Sequence, residues 1–122
     1  RWFNYLHVTC GDRTLLRRRG ERDIWQGLYE FPLIESPRPA DFAELAAQSY
    51  FHELLGDAPW RLVRSVAMPR HQLSHRTLHA IVHRIETPVL TAAAERLAVG
   101  TASVGDYAVP RLLERYLTKY QM

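Results

Sequence analysis

Four histidines recur at intervals of four residues, at His71, His75, His79 and His83. On one face of a helix, such a row would offer imidazole ligands to a metal ion such as zinc. Pro69 lies just upstream, however, and Leu78, Ala80 and Val82 alternate with the last histidines, which is typical of a strand. Residues four apart on a strand are separated by about 13 Å, so consecutive members cannot share one ion. We therefore expect turn and strand histidines with separate partners, and no metal site.

A second set of reactive groups lies in the tripeptide Leu73-Ser74-His75, inside the predicted turn Pro69 to Arg76. A serine hydroxyl can both donate and accept a hydrogen bond, and a neutral imidazole can do the same through its two nitrogens. The residues alone fit either a recognition loop or an ordinary β-turn with an exposed serine and histidine.

The densest basic run comprises Arg17, Arg18, Arg19 and Arg22. One interpretation is a solvated strand end and loop. The other is contact with phosphate groups, which would position a nucleic acid without reading its sequence. The residues alone favour neither.

Cys10 is the one cysteine of the chain. An internal disulfide and a multi-cysteine zinc or iron–sulfur site are therefore excluded from this segment. A reducing, intracellular location is expected, and Cys10 itself is interpreted as a small residue at a strand end. The sequence predicts no catalytic residue.

Length and charge set broader bounds. The 122 residues suffice for one compact domain, and no apolar run approaches the roughly 20 residues of a membrane span. Fifteen of the 16 basic residues are arginine, and the net charge of +3 modestly favours a polyanionic partner. Because the chain begins with Arg1 rather than Met, we expect it to be a piece of a longer chain.

Hydrophobic periodicity predicts the elements that position these groups. The predicted strands are Trp2 to Thr9, Thr14 to Arg18, Leu28 to Ile34, Trp60 to Met68 and Thr77 to Ile85. Cys10-Gly11-Asp12 predicts a turn, and Pro32 indicates an edge, a bulge or a strand end. Thr91 to Leu97 fits a short helix or an irregular segment.

Two amphipathic helices are predicted. The first extends from Asp41 to Leu55, with Asp41 and Glu44 in a variant of the capping box and Gly56 after its end. Its apolar rows are Phe42, Ala46, Tyr50, Leu54 and Ala43, Ala47, Phe51, Leu55. The second helix follows Pro110. The order of hairpin, strand, helix, two strands and helix predicts a mixed α/β sandwich rather than a doubly wound parallel sheet.

One run carries a family resemblance: Ile24-Trp25-Gln26-Gly27-Leu28-Tyr29-Glu30-Phe31-Pro32. It resembles the Trp-x-Gly-Leu-x-Glu-Phe-Pro motif of the C-terminal domain of MutY-type adenine DNA glycosylases. Four further stretches are similar to that domain and lie in the same order: Phe3-Asn4-Tyr5-Leu6, Thr14-Leu15-Leu16-Arg17-Arg18-Arg19, Leu73-Ser74-His75 and Tyr107-Ala108-Val109-Pro110. The resemblance covers nearly the whole chain.

The resemblance implies an α+β fold: a Nudix-like α/β/α sandwich with a mixed sheet, a main amphipathic helix (41–55) and a C-terminal helix. It implies one lesion-recognition domain over residues 1–122. The catalytic helix-hairpin-helix domain with its iron–sulfur cluster would precede this segment, so no cofactor is expected here. Nudix hydrolases carry an Arg-Glu-x2-Glu-Glu motif for Mg²⁺. The helix here has only Asp41, Glu44 and Glu53, which are not clustered as metal ligands would be.

The implied function is recognition of 8-oxoguanine opposite adenine during base excision repair, by a segment that is not itself an enzyme. Ser74 would read the lesion, His75 would touch a phosphate or brace the loop, and Leu73 would wedge against bases although the family usually has an aromatic residue there. His71 and Arg76 are added as DNA-binding residues, and Arg17, Arg18, Arg19 and Arg22 as candidate phosphate contacts. The expected partners are duplex DNA containing the 8-oxoguanine–adenine pair and the catalytic domain of the same chain. A cytoplasmic, nucleoid-associated bacterial monomer is expected.

Two alternatives belong to other functional classes. One is a stand-alone Nudix-type nucleotide pyrophosphatase, which the absent motif disfavours. The other is a protein-interaction module that only keeps the Nudix-like shape.

Overall fold

The computed structural model describes residues 1–120, so the predicted domain of residues 1–122 extends two residues beyond the described part. The strands are β1 (Trp2–Cys10), β2 (Arg13–Leu15), β3 (Arg17–Arg18), β4 (Tyr29–Glu30), β5 (Leu33–Ser36), β6 (Arg61–Ala67), β7 (His71–Gln72), β8 (Thr77–Glu86) and β9 (Ala98–Gly100). The helices are α1 (Phe42–Ala46), α2 (Ser49–Leu55), α3 (Ala92–Glu95), a 3₁₀ helix (Thr101–Asp106) and α4 (Arg111–Lys119). The longest of these helices has nine residues, too few to cross a lipid bilayer.

The main sheet is mixed and has the strand order β6-β8-β1-β2-β9. β1 pairs parallel with β8, with Trp2 opposite His79 and Thr9 opposite Glu86. The other pairs are antiparallel: β5 pairs with β1, and β7 pairs with β8. β3 and β4 form a separate two-stranded sheet.

β1 lies at the centre and is buried from Phe3 to Thr9, because both faces of the sheet are covered. One face packs against α1, α2 and α3 through a cluster that includes Leu6, Phe51 and Leu54. The other packs against α4 through Phe3, Tyr5, Phe31, Leu78, Val82, Leu113 and Tyr116. Two helical layers around a mixed sheet confirm the predicted α/β/α sandwich.

The predicted helix 41–55 is two helices instead. The Asp41–Glu44 capping box is present, since the Asp41 carboxylate accepts from the Glu44 N–H and the Glu44 carboxylate accepts from the Asp41 N–H. Gln48 then adopts an extended backbone, with φ −72° and ψ 144°, and α2 begins at Ser49. The break shifts the helical phase, so Leu45 is buried. Ala43 and Ala47, predicted in the apolar rows, are exposed.

Two predicted strands are also divided. The segment from Leu28 to Ile34 splits at Phe31 and Pro32 into β4 and β5, because proline has no N–H to give to a ladder. The Pro32 carbonyl instead accepts from the Leu6 N–H at 2.8 Å, where the chain passes from the small sheet to the main one. Thr14 to Arg18 divides at Leu16, whose N–H donates to the Leu97 carbonyl at 2.9 Å.

The undecided segment from Thr91 to Leu97 contains helix α3. The Thr91 hydroxyl caps it by accepting from the Ala94 N–H at 3.1 Å. The following strand β9, which pairs with β2, was not predicted.

Candidate functional site

The predicted recognition tripeptide lies at the tip of the β7–β8 hairpin. The Leu73 N–H donates to the Arg76 carbonyl at 2.7 Å and closes a four-residue loop. The Gln72 side-chain amide donates to the Leu73 and Arg76 carbonyls at 3.1 and 3.3 Å, and its oxygen accepts from the Thr77 hydroxyl at 3.1 Å. Gln72 therefore braces the loop from within.

The residues of the tip have different environments. Leu73 is half-buried and packs against the core cluster under α4, which anchors the loop to the domain. Ser74, His75 and Arg76 are exposed, and their side chains form no hydrogen bond or ion pair with any of residues 1–120. The tip thus presents a hydroxyl, an imidazole and a guanidinium to an external partner on a braced support.

The arginine run does not form one surface. Arg19 is 7% exposed, and its guanidinium donates to Glu30 at 2.9 Å, to Asp23 at 2.7 Å and to the Ile24 carbonyl at 2.9 Å. Arg17 pairs with the same Glu30 at 3.3 Å. Both guanidinium groups are engaged inside the domain, and little of Arg19 is open to a phosphate.

The other two arginines of the run, Arg18 and Arg22, are exposed to solvent. Arg18 is exposed and donates to the Gly27 carbonyl at 3.3 Å. Arg22 is also exposed, in the loop between β3 and β4, with a positive φ of 65°. These two arginines remain as candidate phosphate contacts.

An ion-pair network ties this loop to the start of the chain. Asp23 receives two hydrogen bonds from Arg1, at 2.7 and 2.8 Å, in addition to the one from Arg19. The hydrogen bond from Arg1 is the main reason why the pKa of Asp23 lies well below its usual range. The tyrosine hydroxyl of Tyr5 donates to the buried Glu30 at 2.9 Å, and burial is the main cause that raises the pKa of Tyr5.

The four spaced histidines have separate surroundings. His71 lies beside Trp25, with 6.0 Å between ring centroids, and His79 stacks on Trp2 at 4.1 Å. His83 is buried and its Nδ1 lies 2.7 Å from the Ser65 hydroxyl; burial lowers its pKa to about 4. Within residues 1–120, no three His, Cys, Asp or Glu side chains are grouped to hold a metal ion.

A groove beside the hairpin contains residues that the sequence analysis did not select. A depression of about 90 Å³ is lined by Met68, Pro69, Arg70, His71, Arg111, Leu112 and Arg115. Next to it, Arg115 and Lys119 line a second depression of about 170 Å³ with Tyr120. The sequence does contain a pattern that could have selected these basic residues. Arg111, Arg115 and Lys119 recur at the four-residue spacing that places side chains on one helix face.

A larger open cleft of about 640 Å³ lies at the other end of β8, between the β1–β2 turn, the 3₁₀ helix and α4. Its lining includes Thr9, Asp12, Arg84 and Thr101. Because Thr9 is seven residues along β1 from Trp2, this cleft is about 23 Å from the strand end that carries the hairpin.

Helices α1 and α2, on the face of the sheet opposite α4, carry few carboxylates. Glu53 is the acidic residue of α2, and its neighbours Leu54 and Leu55 are buried in the core. Asp41 and Glu44 are engaged in the cap of α1. The three acids are therefore not arranged as a shared oxygen cage.

Known proteins were compared with the chain at the levels of family, sequence and structure. The NUDIX domain family matches residues 4–119. A solved structure from work on MutT of the fish pathogen Aliivibrio salmonicida and of Vibrio cholerae is 11% identical, with a TM-score of 0.47, and the match covers 98% of this chain and 96% of that one. No curated protein matches the chain. Since the family match spans nearly all of its residues, the chain belongs to the NUDIX domain family.

Proposed function

We propose that this chain is a lesion-recognition domain that reads 8-oxoguanine opposite adenine in duplex DNA, as the C-terminal domain of an adenine DNA glycosylase does. The observation that carries the proposal is the braced hairpin tip with its exposed Ser74, His75 and Arg76. The resemblance of five ordered segments to that domain adds support.

The chemistry of the tip suits the oxidised base. In 8-oxoguanine, N7 carries a hydrogen and C8 carries a carbonyl, so the pattern of donors and acceptors in the major groove differs from that of guanine. The Ser74 hydroxyl can accept from N7–H, and the backbone N–H of Ser74 can donate to the new carbonyl. A hydroxyl can also donate to the N7 of normal guanine, so Ser74 favours the lesion without rejecting guanine completely.

The anchoring of Leu73 gives it a role in this proposal. Its side chain packs partly against the domain core, so it holds the tip in place and offers only its outer part to a base. Leucine at this position therefore contributes less to base insertion than the aromatic residue that the glycosylase family usually has.

A stand-alone pyrophosphatase is the competing function within the same family. Such chemistry needs several carboxylates that converge on Mg²⁺, whereas Glu53 lies beside two buried leucines. A Mg²⁺-dependent hydrolysis assay on 8-oxo-dGTP and dATP tests this alternative. Turnover that Glu53→Gln abolishes would overturn our proposal.

The direct test measures binding of the chain to two labelled duplexes, one with 8-oxoguanine opposite adenine and one with guanine opposite adenine. NMR titration suits this measurement because it also quantifies weak binding. We expect preference for the oxidised duplex, with chemical-shift changes at Ser74 and His75. Ser74→Ala should reduce the preference by about fivefold, since one hydrogen bond contributes about 1 kcal/mol.

Ser103→Ala is the matched control, since it also removes one exposed serine hydroxyl but lies in the 3₁₀ helix, at the opposite end of β8 from the hairpin. Equal affinity of the wild-type chain for both duplexes, or an unchanged preference in Ser74→Ala, would refute lesion reading by this loop.

A further inference from the structure

The ion pairs of the domain are unevenly distributed over its surface. Five acidic residues pair with arginines at the start of the chain, in β2, β3, β6 and β8, and in the loop after β3: Asp23, Glu30, Glu35, Glu86 and Glu95. The basic side chains on α4 and in the β6–β7 loop form no ion pair within residues 1–120. Several basic side chains are thus close together here without an acidic partner in the described part of the chain, whereas other unpaired arginines, such as Arg38 and Arg96, lie outside α4 and this loop.

The uncompensated charges on α4 form one row, Arg111, Arg115 and Lys119, which we call the basic row. All three side chains are exposed, while Leu112, Leu113 and Tyr116 on the other face are buried. Glu114 is the acid of this helix, and it lies on the neighbouring row without an ion pair in the described part of the chain. The orientation of α4 is fixed by its apolar face, so the basic row must face outward.

The basic row is continuous with the hairpin. Arg111 and Arg115 share a groove with Arg70 and His71, and His71 belongs to β7. Ser74, in the tip, lies three residues beyond His71. A single surface thus extends from the exposed tip to the C-terminal end of α4.

The shape of this surface favours a polyanion over a small anion. Its grooves, of about 90 and 170 Å³, are smaller than the several hundred Å³ of a typical ligand pocket. The basic row spans about 12 Å at 1.5 Å per residue. That length corresponds to three or four phosphates of one strand, at about 3.4 Å of DNA axis per phosphate.

We propose that the basic row, with Arg70, binds the phosphates of one strand of duplex DNA next to the base pair that the tip contacts. This inference rests on the proposed function for its partner and adds the surface that holds the DNA. Phosphate contacts of this kind set position and affinity, while contacts to base edges set specificity. The main phosphate contacts therefore lie on α4, rather than on the Arg17–Arg22 run.

The test compares two double variants of the 122-residue chain with equal net charge. Arg111→Gln with Arg115→Gln removes two members of the basic row. Arg38→Gln with Arg96→Gln removes two exposed arginines that form no ion pair in the described part of the chain. Circular dichroism checks the fold of both, and fluorescence anisotropy measures Kd for both duplexes between 50 and 200 mM salt.

We expect the first variant to bind both duplexes roughly tenfold more weakly at the lowest salt. Its slope of log K against log salt should be less steep by about 1.8, because each lost phosphate contact contributes about 0.9. Its preference for the oxidised base should not change. The control variant should keep the wild-type slope.

Equal losses in both variants would mean that only net charge matters, and unchanged slopes would mean that α4 makes no contact; either result overturns the proposal. Competition by polyglutamate as effective as competition by duplex DNA would assign the surface to acidic proteins instead. If the wild-type chain binds without lesion preference but the basic row still sets the slope, lesion reading fails and the phosphate surface stands. If the wild-type chain binds no duplex at 50 mM salt, both the proposal of lesion reading and the proposal of phosphate binding fail.

Discussion

Glu30 is fully buried, and its carboxylate is held by three donors. Arg19, Arg17 and the Tyr5 hydroxyl lie 2.9, 3.3 and 2.9 Å from its oxygens. Burying a carboxylate is costly unless it is paired and hydrogen-bonded. This cluster joins β1, the two-stranded sheet of β3 and β4, and the loop before β4. It therefore determines how residues 24–32, which carry the family resemblance, pack on the domain.

Removing one partner of this carboxylate tests its structural role. We expect Arg19→Met to lower the free energy of unfolding by about 3 kcal/mol, because it leaves a buried charge with weaker compensation. Arg17→Met is the matched control; its side chain is 36% exposed, and the loss should be below about 1 kcal/mol. Urea unfolding measures both, and similar losses would show that burial does not distinguish the two arginines.

The same residues show what sequence can and cannot predict at this scale. Arg17, Arg18, Arg19 and Arg22 are equivalent in a sequence because all are basic and adjacent. Their separation depends on Glu30, which is brought opposite Arg17 by the pairing of β3 with β4. That register is set by tertiary structure and could not be predicted from local sequence. The turn that carries Ser74 could be predicted from its local composition and the family resemblance.

At the scale of elements, the loop between β3 and β4 depends on backbone conformations that most residues avoid. Gly27 has a φ of 77°, and a Cβ at this position would lie 3.3 Å from Nη2 of Arg18. We expect Gly27→Ala to destabilise the domain by about 1 to 2 kcal/mol, the cost of a left-handed conformation for an L-residue. The flexible Arg18 side chain can move away at little further cost.

Gly20→Ala provides the comparison, since Gly20 lies in the same loop without a positive φ and has open space around it. Its effect should be neutral or slightly stabilising, because alanine restricts the unfolded chain. Thermal unfolding of the two variants separates these effects. A Gly27→Ala protein as stable as Gly20→Ala would contradict the assigned strain.

The order and type of the main elements followed from periodicity, but their interruptions did not. β1, β6 and β8 were predicted within one residue at each end, and the start of α4 after Pro110 was predicted as well, because each has a long apolar pattern. The break at Gln48 has no proline or glycine to signal it. β9 was missed because three residues, Ala98–Gly100, are too short for a pattern and are defined only by pairing with β2.

At the scale of the whole molecule, helices cover both faces of the sheet, and one histidine is buried under each face. His7 lies under α4 with its Nδ1 2.7 Å from the Tyr116 hydroxyl, and His83 faces α1 beside Phe42. Burial, aided by the charges of Arg84 and Arg64, lowers the pKa of His7 to about 3. Burial lowers the pKa of His83 to about 4. Both imidazoles are therefore neutral in the folded protein at neutral pH.

The difference in histidine pKa between the folded and the unfolded state predicts how the free energy of unfolding depends on pH. In the unfolded chain both histidines titrate near 6.5, so the unfolded state binds more protons than the folded state between that pH and the folded pKa values. The stability is fully present above pH 6.5 and decreases as the pH falls toward 4 and 3. At pH 5 the loss for each histidine is about 2 kcal/mol, since one pKa unit corresponds to 1.36 kcal/mol. Urea unfolding from pH 7.5 to 5 measures the decrease, and His83→Gln should make it about half as steep. A constant stability over this range, or an NMR titration of His7 near pH 6.5, would contradict the prediction, because a histidine that titrates alike in both states gives no linkage.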